Sequence, residues 1–169
     1  MAEMKGSKSE KGLMEAFAGE SQANRKYLAF AEQADKDGYA QVAKLFRAAA
    51  AAETIHAHAH LRAAGMVGNT EENLKAAIEG ETFEFTDMYP TMIEDAKAEG
   101  LAAAERSFTY ANEVEKIHAA LYKKALQNFG SNEEVDYYVC PVCGNTVEGE
   151  PDGPCVICSV KASMFKKVE

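Results

Sequence analysis

The sequence predicts a mostly α-helical chain, a four-helix bundle followed by a small C-terminal metal-ribbon domain. Three observations predict it: four long stretches with helical spacing of apolar residues, an internal repeat, and four cysteines confined to two C-x-x-C pairs near the end. At 169 residues the chain can bury one good-sized core with a small appendage. Only four prolines and no tryptophan suit long helices. The net charge of −9 argues against nucleic acid or an anionic membrane as the main partner.

The first segment runs from about Ser9 to Asp35 and stops at "DKDG", where Gly38 suits a left-handed cap. The second runs from about Tyr39 to Ala64. Asn69-x-x-Glu72 reads as a capping box opening the third, which continues to Glu99 with a kink expected at Pro90. The fourth runs from about Leu101 to Asn128. The composition then changes to a turn-rich, cysteine-paired tail, which sets expected domains of 1–130 and 131–169. The start, "MAEMKGSKSEKGL", has no apolar core of a leader peptide, and the longest apolar run (Ala48 to Ala52) is far short of the roughly 20 residues of a membrane span. With paired cysteines that suit metal better than disulfides, a cytoplasmic location is expected.

The helical part repeats. "ADKDGYAQVAKLFRAAAAAETIHA" from Ala34 aligns with "AKAEGLAAAERSFTYANEVEKIHA" from Ala96 at an offset of 62, matching Gly38 to Gly100, Phe46 to Phe108, Glu53 to Glu115 and His56 to His118. Upstream, "GES" at Gly19 answers "GET" at Gly80 with an offset of 61. The third segment therefore carries one extra residue, which a bulge near Pro90 would absorb.

Each hairpin supplies one glutamate on an apolar helix face (Glu20, Glu81) and a Glu-x-x-His whose two side chains share a face (Glu53 with His56, Glu115 with His118). Inward carboxylates are costly unless paired or coordinated. One Glu-x-x-His is usually surface decoration, but two in register, each with its inward glutamate, form the ligand set of a two-metal carboxylate bundle. In "AETIHAHAHLRAAG" only His56 has a histidine as repeat partner. His58 projects roughly 140° from Glu53, and His60 lies about 10 Å along the axis, so both are expected to be ordinary helix residues, His60 at most supporting the site from behind. Glu84, three residues beyond Glu81, has Ala23 as its counterpart and so adds a fifth carboxylate to one half only. Oxygen and imidazole ligands without thiolate suit iron or manganese. Cys140, Cys143, Cys155 and Cys158 form two knuckles for one tetrahedral ion, which the spacing leaves open between zinc and iron.

The pieces "AFAGESQANRKY", "KDGYAQVAKLF", "AAETIHAHAH", "GETFEFTDMYP", "EVEKIH" and "CPVCG…CVIC" together resemble the rubrerythrin family over essentially the whole chain. The resemblance implies a ferritin-like di-iron (Fe–O–Fe) bundle joined to a rubredoxin-like domain with one iron on four cysteines, zinc substitution being possible. It implies that Glu53 and Glu115 bridge the metals, that Glu20 is terminal on one iron, and that Glu81 and His118 hold the other. Glu84 and His56 would alternate as ligand of the first iron, and Tyr27 would hydrogen-bond near the site. The implied function is reduction of hydrogen peroxide to water in oxidative-stress defence, with Glu84, His56 and Tyr27 as catalytic residues and the cysteine iron returning electrons. No G-x-G-x-x-G follows a strand, so electrons would come from NAD(P)H through a separate reductase. The alternative is an iron-oxidising protein that uses dioxygen.

Two departures stand out. Ser159 occupies a position that is often glycine, so a slightly altered turn is expected there. The link from Gly65 to Thr70 spans at most about 22 Å, while helices of about 26 residues run roughly 39 Å. It cannot cross the bundle, so either the helices run plainly up and down or two chains exchange hairpins. A hairpin-swapped homodimer is the preferred expectation.

Overall fold

A computed structural model describes residues 4–169; residues 1–3 of the expected helical domain lie outside the described residues. The chain divides into two compact units, one ending at Gly68 and one spanning Asn69–Glu169.

The first unit is a helical hairpin, α1 (Lys8–Lys36) and α2 (Ala40–Ala63). Ser7 caps α1, its hydroxyl accepting from the Glu10 N–H at 3.0 Å. Alanine makes the seam: Ala31 and Ala34 pack on Ala43 with Phe46 beside them, and Ala43, Ala50 and Ala57 are buried at seven-residue spacing. Small side chains at that period let two helices run close together over their length. The turn needs Gly38, at φ +83°, and the Tyr39 N–H then donates to the Ala34 carbonyl at 2.8 Å.

The second unit repeats this plan with one insertion. α3 (Thr70–Phe83) opens with the Asn69–Glu72 capping box that the sequence predicts. The third segment is not continuous, however. It passes through a π-helical turn at Glu84–Met88 before resuming as α4 (Tyr89–Ala98). The Tyr89 N–H donates to the Glu84 carbonyl, five residues back, so this turn holds the extra residue inferred from the 61-versus-62 offsets. Pro90 follows immediately after this turn, as the second residue of α4. Gly100, at φ +70°, repeats the Gly38 turn, with the Leu101 N–H on the Ala96 carbonyl at 2.9 Å. α5 (Ala102–Gln127) then packs along α3 and α4.

Residues 131–136 carry no helix or strand. Beyond them β1 (Tyr137–Val139), β2 (Thr146–Glu148) and β3 (Lys166–Lys167) form an antiparallel sheet in the order β2-β1-β3. Tyr138 pairs with Val147 on one side and Lys167 on the other. Such a small sheet cannot bury a core of its own, and the four cysteines supply the missing anchor. Among the described residues no helix is long and apolar enough to cross a membrane.

Candidate metal centre

The structure gathers the candidate ligands into three groups. Glu20, Glu53 and His56 converge in the first unit, Glu81, Glu115 and His118 in the second, and the four cysteines in the sheet region, each group offering ligand atoms within 4.8 Å of one another. The two carboxylate–histidine groups are near copies. His56 Nδ1 lies 2.9 Å from Glu53 and 3.9 Å from Glu20; His118 Nδ1 lies 2.8 Å from Glu115 and 3.9 Å from Glu81. In both, helical i,i+3 spacing brings the histidine onto its own helix's glutamate, and the hairpin partner adds the third group.

The two copies differ in surroundings. The His56 side chain is 55% exposed and that of His118 28%. Burial, then the Glu115 carboxylate, raises Glu81 above the ordinary carboxylate range, with His118 opposing. Glu84 is raised too, by burial and by the charge of Glu81, although it does not join the converging three. A carboxylate made costly by burial and by its neighbour is a carboxylate that gains from a cation.

His58 is exposed and His60 half-buried, and neither joins a ligand group. Tyr27 stacks loosely on Phe46, ring centroids 6.2 Å apart, and Tyr89 stands on Phe108 in the same way at 6.4 Å. Tyr89 is a site residue that sequence reasoning missed, although Tyr27 plus 62 points to it. Burial and the charges of Glu84, Glu115 and Glu81 raise its phenol above the usual value, so the hydroxyl keeps its proton beside the carboxylates.

In the ribbon, Cys140 Sγ lies 3.5 Å from Cys158 Sγ, and Cys143 Sγ 3.5 Å from Cys155 Sγ. Disulfide sulfurs sit about 2.05 Å apart. Four thiolates about 2.3 Å from a tetrahedral ion sit roughly 3.8 Å apart, which this cluster matches far better. Burial pushes the Cys143 thiol up. Burial also opposes the Cys155 thiolate, but the N–H groups of Cys158 and Ile157 outweigh it and bring that thiol down to about 6. The second knuckle corrects an expectation. Ser159, at φ +62°, takes the same left-handed conformation as Gly144 at φ +86°, and each N–H donates to the carbonyl four residues back, on Cys155 and Cys140. The turn is kept at a cost in backbone strain rather than altered.

These donor sets fit two oxygen- and imidazole-loving ions and one thiolate-held ion. The rubrerythrin family model matches residues 11–126. Rubrerythrin-2 of Clostridium acetobutylicum is 37% identical, covering 91% of this chain and 93% of that relative. The chain belongs to the rubrerythrin family. Nigerythrin of Nitratidesulfovibrio vulgaris is 36% identical over 86% of this chain and 79% of its own length. The structure of partially reduced nigerythrin aligns with a TM-score of 0.59 at 32% identity, covering 96% of this chain and 87% of that one. As a rubrerythrin the chain has a ferritin-like di-iron centre built from carboxylates and histidines and a rubredoxin-like iron site on four cysteines. Rubrerythrins are generally di-iron proteins of oxidative-stress defence with peroxidase activity, and an oxidoreductase role follows for this chain.

Proposed function

We propose that this chain reduces hydrogen peroxide to water at a di-iron centre and is re-reduced through its four-cysteine iron. The observation that carries this reading is the pair of matching carboxylate–histidine triads, one per hairpin, with the thiolate cluster in the same unit as the second triad. When bound, the two irons supply Lewis acidity and one electron each for cleavage of the O–O bond.

Glu20, Glu53 and His56 from one hairpin and Glu81, Glu115 and His118 from the other would hold the pair, with Glu53 and Glu115 as the carboxylates that would be shared between the ions. Glu84, beside the second triad, would be the adjustable ligand, able to exchange with His56 if the charge of the centre changed. Its place in the π-helical turn suits this role, because the looser turn frees the backbone from the strict α-helical register. Tyr27 hydrogen-bonds near the site from the first hairpin as a catalytic residue, while the Tyr89 hydroxyl keeps its proton and is a second donor beside the carboxylates. Cys140, Cys143, Cys155 and Cys158 hold the electron-delivering iron. Residues 1–130 serve as the catalytic bundle and 131–169 as the electron-transfer domain.

The six residues from Ala64 to Asn69 span at most about 22 Å, so a centre that uses both triads forms most simply from two chains exchanging hairpins in a homodimer. Large apolar side chains left exposed on the hairpins, among them Leu45 at 67% and Ile55 at 69%, suit burial against a second copy. Electrons come from NAD(P)H through a separate reductase, and the protein works in the cytoplasm.

The test uses anaerobically reduced, iron-quantified full-length protein. One equivalent of hydrogen peroxide or of dioxygen is added, and the visible band of the ferric thiolate site is followed. Much faster reoxidation by peroxide is expected. Faster reaction with dioxygen, or a thiolate site that never changes colour, would overturn the reading in favour of iron oxidation.

A further inference from the structure

β2 and the turn before it pack along α5. Gly144, in the left-handed turn that ends the first knuckle, lies over Val114, within 3.8 Å of its methyl group for an added Cβ, and Thr146, the first residue of β2, lies over His118. A bond from Lys124 to Glu148 closes the contact farther along. Between these residues Asn145 turns the opposite way. It is fully buried, and its side-chain N–H₂ reaches Cys155 Sγ at 3.6 Å while its backbone carbonyl accepts from the Cys140 N–H at 2.9 Å. Two neighbouring residues thus face the two metal sites from one short segment.

Thr146 Oγ1 stands 3.1 Å from His118 Nε2 and 3.2 Å from the Gly144 carbonyl. The carbonyl can only accept, so the hydroxyl donates to it, and its lone pair is left to accept from an Nε2–H on His118. That leaves His118 Nδ1, the nitrogen facing Glu81 and Glu115, free for metal. Gly144 is bonded to Cys143 and its N–H donates to the Cys140 carbonyl. A continuous line therefore runs from the imidazole through one hydroxyl and the backbone of Gly144 to the thiolate knuckle. His56, the repeat counterpart, has no strand laid over it within its own unit.

We propose that Thr146 is a positioning residue: its hydroxyl holds the His118 Nε2–H and ties that imidazole to the Cys140–Cys143 knuckle, so that electrons pass from the thiolate iron to the His118 end of the di-iron centre within one chain. Each transfer moves one electron, turning a thiolate-held ferrous ion ferric and a ferric ion on His118 ferrous. No bond forms or breaks, and His118 and Thr146 keep their protons. The kinetic part of this proposal rests on the peroxide reading given above.

The experiment compares full-length wild type, Thr146→Ser and the near-isosteric Thr146→Val by two measurements. The first is the solvent-exchange rate of the His118 Nε2–H in zinc-loaded, ¹⁵N-labelled protein. The second is the rate at which the thiolate iron is oxidised after one equivalent of peroxide meets fully reduced, iron-loaded protein. Thr146→Val is expected to lose the slowly exchanging proton and to slow thiolate-iron oxidation roughly 10–100-fold. Its thiolate spectrum should stay unchanged, and Thr146→Ser should keep both properties. A Thr146→Val protein with the proton still protected and the oxidation rate still that of wild type would overturn the proposal. If wild type itself left the thiolate iron reduced, the peroxide reading would fall, while the proton measurement would still decide whether Thr146 holds His118.

Discussion

The two helical hairpins have the same plan and the same triad, yet only the second departs from it. α1 and α2 are uninterrupted, and their triad ends in a histidine that is more than half exposed. The second hairpin adds a π-helical turn, a fifth carboxylate at Glu84 and a thiolate cluster packed over His118 through Thr146. The repeat yields two matching carboxylate–histidine triads. What makes their surroundings chemically different is a one-residue insertion and one appended ribbon, and the proposed function uses that difference, one end receiving electrons and Glu84 serving as the exchanging ligand.

The comparison breaks most completely if either triad loses its Glu-x-x-His carboxylate. If each carboxylate bridges both ions, as proposed, Glu53→Ala and Glu115→Ala should each drop the metal content from about three irons per chain to about one, with peroxide turnover lost. Iron analysis alongside peroxide kinetics checks this. Equal loss from both variants supports a shared centre, and loss of a single iron from each would point to two separate sites.

Deleting Thr86 removes the extra residue and makes the third segment as long as the first. Helical content by circular dichroism should hold within a few per cent, while peroxide turnover falls roughly 10–100-fold as Glu84 and Tyr89 lose their relative register. Unchanged turnover would show that the π-helical turn only repairs the repeat.

pH sharpens the contrast in metal-free protein. Glu81 and Glu84 have folded-state pKa values raised, first by burial. A raised folded value stabilises the fold below the unfolded carboxylate range, and that stability is lost as pH rises through the folded value. Thermal unfolding of the metal-free chain should therefore move to lower temperature as pH rises from about 4 toward neutrality. The Glu81→Gln/Glu84→Gln double variant should flatten that trend, and bound metal should abolish it by favouring the ionised carboxylates.

The smallest effect concerns the knuckles. Ser159→Gly removes left-handed strain that Gly144 does not carry, a gain of about 0.5–1 kcal/mol offset in part by unfolded-chain entropy. A rise of about 2–4 °C in the melting temperature is the expected sign.

Much of this was legible in the residues. Helical period, the Asn69–Glu72 box and the Gly38 and Gly100 turns give the helices within a residue or two of their ends. The bulge before Pro90 followed from a slip of one in the repeat offset. Tyr89 was open to the same arithmetic. Thr146 was not, because its partner His118 lies 28 residues away and belongs to a helix, and no period links strand residues to helix residues across an irregular link. The Ser159 turn departs from the expectation because the knuckle hydrogen bonds from the Ser159 and Cys155 N–H groups hold the left-handed conformation against residue preference.

The proposed di-iron centre requires the two triads to be its two halves. The direct measurement is Mössbauer spectroscopy of fully oxidised, ⁵⁷Fe-loaded full-length protein. About two-thirds of the iron should appear as a spin-coupled ferric pair with a diamagnetic ground state, and the remainder as a ferric tetrathiolate. Ferric ions that remain magnetically isolated, one for each hairpin, would contradict it.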